Sequence, residues 1–379
     1  MARLGDMGKV ITGNTPKTSE NRNYESNDIC FVKPSDIADS EITRLTTSEF
    51  YISEFAREKS RILPPESILV TCIGIIGKVA INKVECAFNQ QINAIIPNPQ
   101  KCVANYLAYA IQAKRQVMQD IANAPIVPIL NKTEFSNIEI IIPPIAHQQY
   151  IANVLDKISD LIVLRKQQLA KLDELVRSRF IERFGNPIYN SNGLPTKKLG
   201  ELGSLDRGRS QHRPRNAPEL LNGPYPLIQT GDVTNAELFI TEYHSTYSEM
   251  GLRQSKMWKT GTLCITIAAN IAQTAILTFD ACFPDSVVGF IPHDDVSAIY
   301  MHYWFSFFQK ILDEQAPQVA QKNINLKILS DLDVIVPPRE VQEAFIAFVD
   351  QIEKARLTIR QGLDKLETLK KALMQQYFG

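Results

Sequence analysis

The chain has 379 residues, 44% hydrophobic and 22% charged, a balance ordinary for a globular protein of two or three domains. Lys plus Arg and Asp plus Glu number 41 each, which excludes a protein that wraps nucleic acid by bulk charge but not a local basic groove. The opening MARLGDMGKV lacks an apolar signal core and no stretch is long enough to span a bilayer, so a cytoplasmic chain with no membrane partner is expected.

The first 142 residues alternate short β-branched runs with Gly, Pro and Asn, as in FVKPSDI (31–37) and SILVTCIGIIGKVAI (67–81). This is the pattern of strands in an irregular mixed domain. GIIGKV (74–79) is not a phosphate loop, because only two residues separate Gly74 from Gly77 and Val79 follows Lys78. It predicts a turn between strands. A helical patch follows at VANYLAYAIQAKRQVMQDIA (103–122), then an apolar strand ending at Pro143-Pro144. Proline closes a strand and suits the first turn of a helix, so the pair marks a strand-to-helix launch point.

The long helix launched there spans the region 143–185. Leu155, Ile158, Ile162, Leu169, Leu172 and Val176 recur at alternating three and four spacing, with Lys157, Asp160, Lys166 and Asp173 on other faces. That is a coiled-coil seam in need of a partner. NPIYNSNGLPTKK (186–198) reads as a linker, and then the chain repeats itself. Leu4, Gly5, Gly8 and Gly13 fall on Leu199, Gly200, Gly203 and Gly208 at a constant shift of 195. FVKPSDI meets LIQTGDV (227–233), and ESILVT (66–71) meets GTLCIT (261–266). TLCITIAANIAQTAIL supplies strands, SAIYMHYWFSFFQKILDE (297–314) the helical patch, and Pro337-Pro338 the second launch point. Val349, Ile352, Ile359, Leu363, Leu366 and Leu373 form the second seam. The fold class is α+β: two tandem units, each a mixed domain followed by a long helix, with the two helices pairing as an antiparallel coiled coil. The predicted boundaries are a first domain at 1–142, a helix at 143–185, a linker at 186–198, a second domain at 199–336 and a second helix at 337–379.

No catalytic constellation emerges. There is no NPPY- or DPPY-like motif, no FxGxG-like loop, and Pro284-Asp285 is not followed by the ExK of a nuclease metal site. His147 and His302 lack a triad setting. Six scattered cysteines without a CxxC pair, and five isolated histidines, predict free buried thiols and no metal site. A chain of this size without catalytic motifs points to a binding protein.

The most distinctive segment is DRGRSQHRPRN, where Arg207, Arg209, Arg213 and Arg215 surround His212. Arginine forks match phosphate oxygens and the O6/N7 edge of guanine, whereas a solvated charge run needs no ligand. Its counterpart TGNTPKTSENRN is less basic, offering Thr12, Asn14 and Lys17, so the two domains are not expected to bind alike. Further polar clusters recur at matching places: Lys33 with Gln229, Gln90 and Gln91 with Asp285-Ser286, and Asn131-Lys132 with the run containing Lys322 and Asn323. Such residues often serve turns and caps, but Gln and Asn also read adenine, and recurrence makes these candidates for DNA contact.

The segments TGNTP, FVKPSDI, AFNQQINAIIPN, PILNKTEFSNIEIIIPPIAHQQYIANVLDKI and RGRSQHRP…GPYPLIQTGDV, with VIVPP…Q, resemble the DNA specificity subunits of type I restriction–modification enzymes. The resemblance covers nearly the whole chain and is carried by the order strand, Pro-Pro, Gln, long helix, found twice. It implies two target-recognition domains, each reading half of a split double-stranded DNA site, spaced by paired helices. It further implies docking of two methyltransferase subunits on those helices (Leu155, Ile158, Ile162, Leu169, Leu172, Val349, Ile352, Ile359, Leu363 and Leu366), and assembly with restriction (motor–nuclease) subunits. Cofactors are implied for the partners only: S-adenosylmethionine for the methyltransferase, ATP and Mg for the restriction subunit. The chain starts close to LGDMG, so a strand before that segment is expected to be missing or shortened. Competing readings are the specificity polypeptide of a related system with a fused methyltransferase–nuclease partner, a coiled-coil adaptor without a DNA role, and an independent methyltransferase. The Arg-rich loop speaks against the adaptor and the missing motifs against the methyltransferase.

Overall fold

The computed structural model describes residues 1–122, 127–267, 271–307 and 324–379. The end of the second helical patch (308–314), part of the AANIAQ run, and Lys322 and Asn323 lie outside these. Residues Met1–Lys166 with Arg360–Gly379 form one compact unit, and Gln167–Ile359 form the other.

In the first unit a five-stranded sheet runs in the order Gly8–Thr12, Ile92–Pro97, Ile68–Thr71, Val79–Asn82, Thr43–Leu45. Its pairings are antiparallel except the last, which is parallel. The central strands are buried throughout, which is why their sequences are unbroken apolar runs and do not alternate. Gly74 and Gly77, at φ +77° and +84°, make the turn between them. A four-stranded sheet beside it runs Phe50–Ile52, Ile29–Val32, Cys86–Phe88, Ile62–Leu63.

The second unit repeats both sheets, equivalent strand for equivalent strand. The larger runs Gly203–Arg207, Val287–Pro292, Leu263–Thr266, Thr274–Leu277, Phe239–Ile240. The smaller runs Ser245–Tyr247, Leu221–Leu227, Ala281–Cys282, Met257–Trp258. Repetition in the sequence is thus repetition of topology. Before LGDMG the strand is present but short: Ala2–Arg3 pairs with Glu139–Ile140, where the second unit pairs Thr196–Lys198 with Asp333–Ile335. All six cysteines are free and five are buried, while Cys30 is half-exposed. Burial pushes the Cys72 and Cys86 thiols up to about 12.

Each long helix starts directly after its proline pair, at Ile145–Phe184 and Arg339–Phe378. The glutamine four residues beyond the second proline sets the direction. Gln148 is fully buried; its Oε1 accepts from the Val103 amide at 3.0 Å, and its Nε2 donates to the carbonyls of Pro143 (2.7 Å) and Lys101 (3.2 Å). Gln342 makes the same three bonds, with Ser297 N (3.2 Å), Pro337 O (3.0 Å) and Asp295 O (2.8 Å). One side chain therefore ties the first turn of each helix to the segment preceding its domain's helical patch. A tyrosine adds a second tie, Tyr106 Oη to Ile141 O and Tyr300 Oη to Ile335 O, both at 2.8 Å. Gln148→Leu or Gln342→Leu would strand a buried amide and two carbonyls. Each should cost about 1–3 kcal/mol, read as a lower urea midpoint of similar size at the two positions.

The helices pair antiparallel inside each unit. In the first, Lys166 bonds Glu367 at 3.4 Å, while the later residue Lys370 lies in a cleft with the earlier Asp156. In the second, Asp173 accepts from Arg356 at 2.6 Å, and Phe180 and Phe184 pack on Phe345 with ring centroids 5.6 and 5.3 Å apart. The compact units accordingly cut across the sequence boundaries: each mixed domain takes the start of its own helix and the end of the other. Phe378 closes against Tyr106 in the first core, and Phe180 and Phe184 close against Tyr300 in the second.

Half-buried in the second unit, His302 has Nδ1 3.0 Å from Thr274 Oγ1. Burial, helped by the nearby Arg356 cation, lowers its pKa to about 4. The unfolded chain, with histidine near 6.5, binds more protons between those values. Its contribution to stability is therefore complete above pH 6.5 and is lost as pH falls toward 4. Urea midpoints should drop from pH 7 to pH 4.5, and His302→Gln should flatten part of that drop.

Candidate nucleic-acid interface

Three segments, distant in sequence, meet in each unit. The first leaves the edge strand at Gly13 or Gly208; the second ends the inner strand of the smaller sheet at Lys33 or Gln229; the third follows Phe88 or Phe283. Gly13 has to be glycine, since a Cβ there would lie 2.1 Å from Asn89 O; at Gly208 the corresponding distance is 2.2 Å, to Phe283 O. That close approach lets Asn14 N donate to Phe88 O at 3.0 Å and Arg209 N to Phe283 O at 3.1 Å.

In the first unit this crossing joins Thr15 Oγ1 to Gln90 Oε1 at 2.7 Å, leaving Gln90 exposed. Gln91 accepts from Asn89 Nδ2 at 2.8 Å. Lys33 lies 3.1 Å from the centroid of the Phe50 ring, a cation–aromatic stack on the neighbouring strand. Asn14 bridges backward, donating to Lys59 O (2.8 Å) and accepting from Arg61 N (2.9 Å). Thr12 donates to the buried Asn93 at 2.7 Å, and Asn93 in turn donates to Leu130 O at 3.0 Å. Lys17 is exposed on the same loop. Asn131 serves as the N-cap of Lys132–Asn137, its side chain accepting from Glu134 N at 2.9 Å while Glu134 returns the bond; Lys132 is exposed beside it. Thus Thr12, Asn14, Gln90, Gln91 and Asn131 have internal partners and the half-buried Lys33 stacks on Phe50, while Lys17 and Lys132 are exposed.

The second unit builds the same crossing with charge. Equivalent positions line a cleft of about 300 Å³: Ser210 and Arg215 from the first segment, Gln229 and Thr230 from the second, Ser286 from the third, and Ser245 from the strand carrying the Phe50 counterpart. Gln229 Nε2 donates to Ser245 Oγ at 3.0 Å, the pair that replaces Lys33 and Phe50. His212 is half-buried, its Nδ1 3.3 Å from Pro214 O. Arg207 Nε donates to the Asp285 carbonyl at 3.1 Å. Arg215 Nη2 donates to both Asp285 carboxylate oxygens, at 2.7 and 2.8 Å, and Arg213 Nη2 lies 3.9 Å from the same group. Arg209 is exposed and makes no ion pair among the described residues. The carboxylate nearest it in sequence, Asp206, takes Lys256 at 2.7 Å, a bond that holds the carboxyl below its usual range.

The residues predicted to bind partners along the helices face inward. Leu155, Ile158, Ile162, Val349 and Ile352 are buried, and Leu169, Leu172, Ile359, Leu363 and Leu366 are half-buried. Leu155 lies in the first core beside Phe378 of the mate, and Val349 and Ile352 in the second beside Val176, Phe180 and Phe184 of the mate, so the mixed domain and the antiparallel mate together consume that stripe. Exposed apolar side chains lie off it: Tyr150, Leu161 and Leu164 on the first helix, Leu357 and Leu369 on the second. Sequence reasoning also missed Phe55, stacked by Arg22 and Lys59 at 3.8 Å each, since only the fold brings those three together.

Residues 1–174 and 193–369 match the family described as type I restriction modification DNA specificity domain. The MjaIX type I restriction enzyme specificity subunit of Methanocaldococcus jannaschii is 26% identical, over 98% of this chain and 90% of that protein. The HindI specificity subunit of Haemophilus influenzae is 32% identical, over 38% of this chain and 31% of that protein. Among solved structures, the type I restriction–modification S subunit from M. genitalium covers 100% of this chain and 95% of its own, with a TM-score of 0.62 at 13% identity, a likeness of fold. No described helix is long and apolar enough to cross a membrane.

Proposed function

We propose, because this chain belongs to the type I restriction–modification DNA specificity family, that it is the sequence-reading subunit of such a complex, recognising a bipartite DNA target with one half-site per unit. The observation that carries this reading is the crossing of three segments, built twice on the same topology and lined differently each time. Two copies of one scaffold with different linings suit two different half-sites. In the first, Lys17 and Lys132 are exposed beside Gln90, held by Thr15, and Lys33, stacked on Phe50, a neutral amide among point charges. In the second, arginine forks offer phosphate or guanine contact, with Gln229 and Ser286 beside them.

Chemistry is left to partners. Methyltransferase subunits, holding S-adenosylmethionine, dock on apolar side chains outside the seam such as Tyr150, Leu161 and Leu164, and restriction subunits bring ATP and Mg. The purified chain alone should transfer no methyl group and bind DNA weakly, since it has no net charge to attract phosphate and no methyltransferase motif. Adding the cognate methyltransferase subunit should restore site-specific methylation. Methyl transfer by the isolated chain would overturn the assignment of roles.

A further inference from the structure

We propose that Asp285 is a specificity-determining positioning residue, holding Arg215 and the nearby Arg213 away from DNA phosphates until the correct half-site draws them off. The inference rests on the DNA-reading function above and goes beyond it by assigning a role to an acid inside a basic reading loop. Arg215 bonds both carboxylate oxygens of this residue and Arg207 its carbonyl, while Arg213, whose Nη1 donates to the Ser210 and His212 carbonyls, lies 3.9 Å from the carboxylate. Arg215 uses a single nitrogen, Nη2, for both bonds, so the rest of its guanidinium is not spent on the carboxylate. The side chains of Arg213, Arg215 and Asp285 are 57%, 47% and 38% exposed. Ion pairs this exposed contribute little to stability, so holding the fold together does not account for the arrangement.

Position matters as well as charge. Asp285 stands where the first unit has Gln90, 195 residues earlier, and Gln90 likewise bonds the facing loop, through Thr15. The same structural position thus latches the same two segments in both units, with a neutral latch where the loop is less basic and an anionic one where arginines cluster. Released from the carboxylate, Arg215 and Arg213 would join Arg209 in gripping any phosphate backbone, which raises affinity without adding sequence information. A carboxylate competing for those guanidinium groups, and repelling phosphate itself, penalises every duplex. Only DNA whose base edges engage the released forks recovers that loss.

The test uses the assembled complex of this chain with its methyltransferase subunits. Binding is measured over a range of salt to the mapped target duplex, and to duplexes with either half-site scrambled. Asp285→Asn should raise affinity for the duplex scrambled in the second half-site about tenfold and steepen its salt dependence by about one to two phosphate contacts. Target affinity should change far less, so discrimination at the second half-site falls about tenfold while discrimination at the first stays put. Asp285→Glu should retain most discrimination, and adding Arg215→Ala to Asp285→Asn should return the salt slope toward that of the unaltered complex. Equal shifts on all duplexes, or loss of target affinity with an unchanged salt slope, would overturn the clamp alone. An unaltered complex indifferent to the second half-site would overturn the reading function, and the clamp with it.

Discussion

Replacing Arg207, Arg209, Arg213 and Arg215 together with alanine should lower the affinity of the assembled complex for its target at least a hundredfold, at roughly 1–3 kcal/mol for each arginine that reads a base. Among the single changes, Arg209→Ala should have the largest effect. Arg213 and Arg215 share Asp285 and Arg207 bonds its carbonyl, whereas Arg209 makes no ion pair among the described residues and is exposed. A base-reading arginine, once removed, relaxes one position of the second half-site. A phosphate-binding one weakens all sequences alike and lowers the salt slope by about one. In either case discrimination at the first half-site should persist, because its crossing is built from Thr15, Gln90, Lys33 and Phe50 in a different unit. Unchanged affinity and salt slope in the quadruple variant would reduce the loop to a solvated surface.

Lengthening the helices should change the spacing of the target and leave its halves intact. A helix of 40 residues is about 60 Å long at 1.5 Å per residue. Half-sites read from one face of a duplex lie about one turn, roughly 34 Å, apart. Four residues inserted beside Arg165 and four beside Gly362, which lie against each other, add about 6 Å to the paired helices. At roughly 3.4 Å per base pair the unread gap should grow by one or two pairs. The insertion is a stutter in the seam, a local change of supercoil that leaves the pairing in place. Neither reading loop is touched, so the half-site sequences should be identical before and after. A folded, active variant with an unchanged gap would mean that the helices do not measure the DNA.

Much of this architecture was legible in the sequence because it is local and repeated. The proline pairs, the three-and-four spacing of Leu155, Ile158 and Ile162, and the buried run ILVT each signal their structure within a short window. The seam also suggested its partner, the other copy, and in the structure the ends of each mate, Phe378 and Phe180, join the cores that bury Leu155 and Val349. What remained hidden depends on contacts across long separations. Arg215 and Asp285 are 70 residues apart and Gln342 meets Ser297 across 45, so neither clamp nor latch has a sequence window in which to appear. Asn131 shows the opposite difficulty. Its recurrence suggested DNA contact, yet Asn131 and Glu134 form a capping box that is readable once the helix start is fixed. Recurrence marks a position as constrained, by fold or by ligand, and geometry separates the two.

On the proposed function, two copies of one scaffold read two different half-sites across an unread gap. Mapping every methylated adenine in DNA from cells that carry this chain and its methyltransferase tests it most directly. A single bipartite motif is expected: two short, dissimilar specific sequences separated by a fixed run of unspecified bases. A continuous motif, or methylation without sequence preference that nevertheless requires this chain, would contradict it.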